Sequence, residues 1–459
     1  MNKKISNVNR RTFLSNAAII GASGSLGAGG LLSACSGGGS NGNKLTPLRP
    51  AGEVYIPELG DKAINGKPLK AALIGCGWRG TGAAINFLNA GDGLSIVACA
   101  DIFKDRIDQC RVILKDTKNN EIADNMCFVG FDAYKKACET DVDIVIIASS
   151  SLFHAEHLRY AIEQGKHVFC EKPAAIDAVG YRTFMMAVKQ AQAKGLCIVT
   201  GTQRHHDRGY VESYRKVQEG YIGRITSANV YWNQGHVDFK RRRPEWTDME
   251  YMIRDHFSWK WLCGDHVLEQ LVHNVDVFTW FSHLKPVRII GMGSCLRRIS
   301  GNIYDNLSVD IEYENGIHIH GMTRQINDCD NRIGEIIQGT KGSWSSLGNH
   351  TIRDLDGNLI WQYDREAAKE QFKQHDPYTL EHVNLVNHIR WGKVINLAET
   401  TAISSMTCIM ARESAYTGKA YTWDEMTQSD LNFMPAELTL GNVDMSKFVI
   451  SLPGTAPKL

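Results

Sequence analysis

Gly75-Cys76-Gly77-Trp78-Arg79-Gly80 follows directly on the apolar run Ala71-Ala72-Leu73-Ile74. This G-x-G-x-x-G spacing between a short strand and a helix restricts the chain more than any other feature. The first glycine permits a tight turn, the second lets backbone approach a pyrophosphate, and the third lets the helix pack closely on the strand. The free N–H groups at the helix start then face the phosphates. Many glycine turns imitate this motif, so its surroundings matter. Residues 94–100 supply a second apolar strand, and Asp101 stands at its end, 21 residues past Gly80. An acidic side chain there accepts hydrogen bonds from an adenosine ribose, which favours NAD. Lys104 and Arg106 lie close enough to hold the 2′-phosphate of NADP instead.

The alternation continues. Residues 143–148, 167–170 and 196–200 read as strands, and 154–164 and 178–194 as helices. Strands alternating with helices of this length form a doubly wound parallel sheet, here a Rossmann domain over residues 67–202. After Gly223 the pattern changes to strand-like runs at 225–232, 287–292, 306–313, 317–323, 333–339 and 342–346. Turn signals such as Glu314-Asn315-Gly316 separate them, so a large, mostly antiparallel sheet is expected in a C-terminal α+β domain over 203–430. Helices at 379–391 and 399–416 close that domain, and 431–459 form a tail. The class is α/β overall, and 459 residues suit such a multidomain chain.

The N-terminus reads as an address. Asn9-Arg10-Arg11-Thr12-Phe13-Leu14 precedes a weakly apolar, Gly/Ala-rich stretch, the layout of a twin-arginine export signal. Leu32-Ser33-Ala34-Cys35 looks like a lipobox, with Cys35 as the lipidated first residue of a periplasmic lipoprotein. Residues 36–66 are expected as a flexible linker, with the Gly/Ser-rich 36–44 as its tether. Setting Cys35 aside leaves eleven cysteines, an odd number with no Cys-x-x-Cys, so they read as core residues and not as a disulfide framework. Lys+Arg 51 against Asp+Glu 50 gives no electrostatic reason to bind nucleic acid.

Glu171-Lys172-Pro173, directly after the 167–170 strand, carries a resemblance. With Ser149-Ser150-Ser151-Leu152-Phe153-His154, Gln203-Arg204, Gly220-Tyr221-Ile222-Gly223-Arg224-Ile225 and the stretch from Leu262 to Asp276, the chain resembles the Gfo/Idh/MocA oxidoreductases over roughly residues 68–430. The family takes its name from glucose-fructose oxidoreductase and inositol dehydrogenase. The resemblance implies that Ser149, Ser150, His154, Glu171, Lys172, Gln203 and Arg204 join Gly75, Gly77, Trp78, Arg79, Gly80 and Asp101 around a nicotinamide cofactor. It also implies a sugar or glycoside substrate and a homodimer or homotetramer.

Moving a hydride from a carbinol to a nicotinamide requires the hydroxyl proton to leave as the C–H bond breaks. A base and a positive charge are therefore needed. Glu269 and His273 are four apart and share one face of a regular helix. His273 would accept the proton, Glu269 fix its tautomer or bind the sugar, and Lys172 steady the alkoxide; family lysine and histidine at the matching positions have these roles. Glu269 departs from the Asp commoner there. Asp276, a turn further on, would support His273 from behind. His266, Glu269 and His273 at i, i+3 and i+7 can also be read as metal ligands, but hydride transfer needs no metal and none is expected. Lys240-Arg241-Arg242-Arg243 is expected as a loop bordering the substrate, with Trp246 offering a flat face to a pyranose. The competing classes are an NAD-dependent glycosidase, which the retained Glu-Lys-Pro disfavours, and a non-catalytic sugar or cofactor sensor, which the Lys172/His273 pair disfavours.

Overall fold

Strand β1 (Leu69–Ile74) is buried on both faces, and that decides its place at the centre of a sheet. Ala72 and Ile74 enter one apolar cluster with Val145 and Ile147; Ala71 and Leu73 enter a second with Ile144 and Ile146. A strand that alternates between two cores needs helices on both sides. The computed structural model describes residues 45–455 apart from 51, 52 and 238. The export signal, Cys35 and the glycine-rich stretch 36–44 lie outside the described residues.

With β2 (Leu94–Asp101), β3 (Cys127–Val129), β4 (Ile144–Ile147), β5 (His167–Cys170) and β6 (Ile198–Thr200), β1 forms a parallel sheet in the order β3-β2-β1-β4-β5-β6. Strand β3 is short and only partly buried. The strand order reverses between β1 and β4, and a crevice opens there at the carboxyl ends of the strands.

The second sheet has nine strands, β7 (Ile225–Gln234), β8 (Pro286–Ser294), β9 (Asn306–Tyr313), β10 (Ile317–Gln325), β11 (Arg332–Gly339), β12 (Gly342–Ser345), β13 (Thr351–Asp354), β14 (Leu359–Gln362) and β15 (Tyr421–Thr422). Pairing is antiparallel except between β7 and β10. Along β9, Leu307, Val309, Ile311 and Tyr313 are buried while the residues between them are not. Helices Val272–Ser282 and Ala398–Thr417 cover that inner face.

Two segments differ from the expectation of loose ends. The linker expected to run to residue 66 is bound to the body from Leu45 onward. Leu48 N–H donates to Gln218 O at 2.9 Å, Ala63 N–H to Ala90 O at 2.7 Å, and Ile64 N–H to Asn387 Oδ1 at 2.8 Å. Leu48, Val54, Ile56 and Leu59 lie against the core, so burial offsets the ordering cost that a polar linker could not meet. The tail behaves likewise: Leu431, Phe433, Val443 and Phe448 pack on the core, and Phe433 N–H donates to Asp177 Oδ2 at 2.8 Å.

Trp344 on β12 is fully buried between Phe281 and Tyr210. Trp344→Ala is expected to cost about 3–5 kcal/mol of unfolding free energy, read from denaturant midpoints at unchanged m-value.

Candidate active site

The glycine turn is a cradle with no room to spare. Gly75 has φ +92°, and a Cβ there would lie 2.4 Å from Ala148 O; one on Gly80 would lie 1.7 Å from Gly75 O. Gly77 faces open space. The helix from Trp78 to Asn89 starts without a side-chain cap, leaving its first N–H groups for an anion. Trp78 is 75 % exposed at the rim. Asp101 ends β2, accepting from Cys76 N–H at 2.7 Å and Phe103 N–H at 2.9 Å. It therefore braces the turn and keeps two lone-pair directions for a ribose. Burial raises its pKa, with Arg106 opposing.

Arg79 Nε donates to Glu171 Oε1, and its guanidinium lies 4.8 Å from the centre of the Tyr378 ring. Gly201 makes room for Glu171, whose Oε2 would lie 2.4 Å from a Cβ at that position. After β4, Ser149 Oγ pairs with His157 Nδ1 at 3.0 Å. His154 has Nδ1 2.7 Å from Pro173 O and Nε2 2.9 Å from Ser149 O; its ring welds the Ser149-Ser150 turn to the Glu171-Lys172-Pro173 turn. A cleft of about 800 Å³ joins these turns to the second domain, and the glycine turn, Asp101, Ser149, Ser150, His154, Glu171, Lys172, Glu269 and His273 all line it.

Lys172 Nζ donates to the Glu269 backbone O and lies 3.2 Å from Glu269 Oε2. Ser151 Oγ donates to Glu269 Oε1 at 2.5 Å. Glu269 thus serves Lys172 and Ser151 and not the His273 tautomer. The helix expected from Leu262 to Asp276 is broken: Val267–Leu271 winds as a π-helix before the α-helix from Val272. The wider turn still brings Glu269 and His273 to one cleft and adds Gln270. His273 stacks on Trp232, centroids 5.4 Å apart, and its Nδ1 has no hydrogen-bond partner among the described residues. Burial first, then Lys172 and Arg204, hold its pKa well below the ordinary value. The ring is neutral at pH 7.

Several expected roles fall elsewhere. Asp276 does not touch His273: its Oδ2 lies 2.6 Å from His205 Nε2, and its Oδ1 accepts from Ser404 Oγ at 3.1 Å. Arg204 is buried away from the cofactor cleft, where it pairs with Glu335, itself bound by Asn274 and Tyr210. Gln203 stands behind the lining, donating to Tyr378 OH at 3.3 Å. Trp246 lies outside the cleft beneath Arg243 and Arg254, at 5.0 and 5.1 Å. Of the basic run only Lys240 lines the cleft; Arg242 pairs with Asp248 at 2.6 Å. The aromatic beside His273 is Trp232, which the sequence hid as one strand residue among many. Ser151 was visible only as part of its serine run.

Residues 69–205 match the model of the oxidoreductase family with an NAD-binding Rossmann fold, and residues 210–345 match the GFO/IDH/MocA C-terminal domain. The chain belongs to the Gfo/Idh/MocA family. Glycosyl hydrolase family 109 protein 1 of Bacteroides fragilis is 37% identical over 132 residues, 28% of this chain and 27% of the relative. Inositol 2-dehydrogenase of Salmonella typhimurium is 26% identical over 217 residues, 46% of this chain and 54% of the relative. The chain thus matches about a quarter to a half of the length of these curated relatives. Scyllo-inositol dehydrogenase of Lactobacillus casei, with NAD(H) and scyllo-inositol bound, covers 77% of this chain and 99% of its own, at 20% identity and TM-score 0.59. GenD2 from gentamicin A biosynthesis, in complex with NAD, covers 79% and 98%, at 15% identity and TM-score 0.60. Both structural likenesses are of fold. The matched N-terminal model is that of an oxidoreductase family with an NAD-binding Rossmann fold, and the glycine cradle, uncapped helix start and Asp101 fit that cofactor.

A lowered imidazole pKa means that unfolding takes up a proton below the ordinary value of 6.5. The neutral ring's stability contribution is therefore full above that pH and lost below it. Lys172→Met removes one of the two cations, so the His273 titration is expected to move up toward 6.5, read by NMR of imidazole-labelled protein. An unmoved titration would contradict this electrostatic account.

Proposed function

We propose that this protein is an exported oxidoreductase that moves a hydride between a sugar or glycoside hydroxyl and a tightly held NAD. The observation that carries the reading is the meeting of Lys172, Glu269 and neutral His273 in the same cleft as the glycine cradle. The carbinol oxygen would sit between Lys172 Nζ and the His273 ring. Lys172 steadies the developing alkoxide while held by Glu269, and His273 takes the hydroxyl proton. Bound NAD supplies the hydride acceptor. Trp232, stacked on His273, keeps the ring plane fixed and water away from one face.

Export by the twin-arginine route, with Cys35 as a lipid anchor, belongs to the same reading. It is supported by Arg10-Arg11 and by Leu32-Ser33-Ala34-Cys35. An enzyme working outside the cytoplasm has no free NAD pool to draw on, so it would fold around its cofactor first and retain it. One contact favours retention: Arg254 Nη1 and Nη2 each lie 3.0 Å from an oxygen of Asp105, and the guanidinium covers the Phe103 ring at 3.9 Å. The fork ties Arg254, which lines the cleft with Asp101, to the start of the helix after β2. A homodimer or homotetramer would use the outer face of the second sheet, where Ile290 and Met292 are exposed. The second reading is an NAD-dependent glycosidase that oxidises transiently and returns the hydride; the likeness to glycosyl hydrolase family 109 favours it. Net release of a free sugar without lasting NADH would select it.

His273→Ala is expected to lower kcat by about 10²–10⁴ with cofactor still bound; near-normal turnover would remove His273 from the mechanism. Denaturing the gel-filtered protein should release near-stoichiometric NAD(H), with two sugar-like substrates giving ping-pong kinetics. Arg254→Ala should shed the cofactor faster in a chase. Protein that emerges empty and needs millimolar-scale NAD would leave a conventional dehydrogenase.

A further inference from the structure

Cys99 on β2 and Cys127 on β3 are both free thiols. They are direct partners in the parallel pairing of the two strands, so their side chains leave the same face of the sheet. Their sulfurs lie 3.6 Å apart. Paired strands run about 4.8 Å apart, inside the ~4.4–6.8 Å range of Cα separations that a disulfide spans. The two sulfurs can therefore close to a bond with little movement of either backbone.

Access and acidity are divided between them. Cys99 is fully enclosed, whereas Cys127 is half-buried. Hydrogen bonding from Cys76 first, and also from Cys127, lowers the Cys99 thiol against burial. Burial first, then the neighbouring Cys99, pushes the Cys127 thiol up to about 12. The first proton therefore leaves from Cys99, and its thiolate sits against the one sulfur of the pair that solvent reaches. Cys76 meets Cys99 as well, but it is enclosed and its Sγ–H donates to Ala100 O at 3.6 Å.

The contact sits where the sheet is weakest. Strand β3 is three residues long and is paired on one side only, as the edge of the parallel sheet. The chain then turns at Gly130, whose N–H donates to Asp101 O at 3.0 Å. Phe131, Ala133 and Tyr134 line the cleft beyond it. One wall of the cofactor crevice thus hangs on a short edge strand.

We propose that Cys99 and Cys127 are an oxidisable pair, and that their disulfide clamps β3 to β2 and slows loss of the dinucleotide. The oxidant is a low-mass disulfide. Cys127 passes its proton to the Cys99 thiolate and attacks one sulfur of the oxidant, releasing one thiolate. That thiolate takes the proton from Cys99, whose sulfur then attacks Cys127 Sγ and releases the second. In sum, two protons and two electrons pass from the pair to the oxidant, which leaves as two thiols. The cross-link joins residues 28 positions apart and restricts every state in which the edge strand has opened. The proposal needs the Rossmann cradle and is independent of the sugar reading.

The test treats the full chain, loaded with NAD, with oxidised glutathione. Peptide mapping without reductant should join the Cys99 and Cys127 peptides with loss of two hydrogens, and dithiothreitol should part them. The oxidised protein should melt a few degrees higher and release NAD about tenfold more slowly in a chase. Cys127→Ser should match the reduced wild-type protein in release rate and ignore the oxidant. Cys99→Ser should stop at a glutathione adduct on Cys127. Mapping that finds both thiols free, or that joins Cys99 to Cys76, overturns the pair. A joined pair with an unchanged release rate overturns the clamp. Protein that holds no dinucleotide still reports the cross-link through its melting temperature, and an unchanged value there also overturns the clamp.

Discussion

The ion pair between Lys172 and Glu269 fixes where chemistry can happen. Lys172 leaves the end of β5 in the Rossmann domain, and Glu269 sits in the π turn of the second domain. Both side chains are largely enclosed. Buried charges are tolerated only when paired and hydrogen-bonded, so neither can withdraw without stranding the other. Ser151 supplies the remaining bond to Glu269, and Ser151 belongs to the turn that His154 pins to Pro173. Two loops from the parallel sheet and one turn from the second domain are thus locked together. The geometry between the cofactor cradle and His273 follows from that lock.

The ends of the chain hold the same arrangement from outside. The strap from Leu45 to residue 66 reaches Asn384 and Asn387 on the helix Pro377–Trp391, through Tyr55 and Ile64. The Tyr378 ring of that helix lies against Arg79, which in turn holds Glu171. A segment far from the reacting atoms is therefore packed into the support of the Glu-Lys-Pro turn. The tail does comparable work on the other side, where Phe448 meets Trp259 and Trp261. These tryptophans are core residues.

Sequence periodicity and glycine spacing disclosed the parallel sheet, because strands buried on both faces are short, continuous apolar runs. They also disclosed most of the second sheet, through the alternation seen in β9. They missed β3, β13, β14 and β15, which are two to four residues long and have few buried side chains. Lys172, Glu269 and His273 were legible because motif order survives in one dimension. Gln203, Arg204, Asp276 and Trp246 were misplaced for one shared reason. Proximity along the chain to a site residue does not set which side of a wall a side chain occupies. The π turn adds a second reason, since a regular helix reading gives no cue that the winding changes at Val267.

Arg204 shows how such a displaced residue still shapes the chemistry. Its guanidinium lies 5.4 Å from the centre of the Trp232 ring, on which His273 stacks in turn. Lys172 approaches His273 from the cleft, and Arg204 adds a second cation from the buried side. Each carries its own carboxylate, Glu269 and Glu335. Burial first, and then these two cations, keep the imidazole unprotonated. A base that must accept a proton from a weakly acidic hydroxyl gains nothing from being neutral alone. In the proposed reaction it also needs the alkoxide to be stabilised as the proton leaves, and Lys172 would do both. Arg204 cannot reach the alkoxide, so its effect falls on the base alone. Beyond the larger effects of burial and Lys172, Arg204 therefore lowers the proton affinity of His273 further without adding to the charge that Lys172 offers to the substrate.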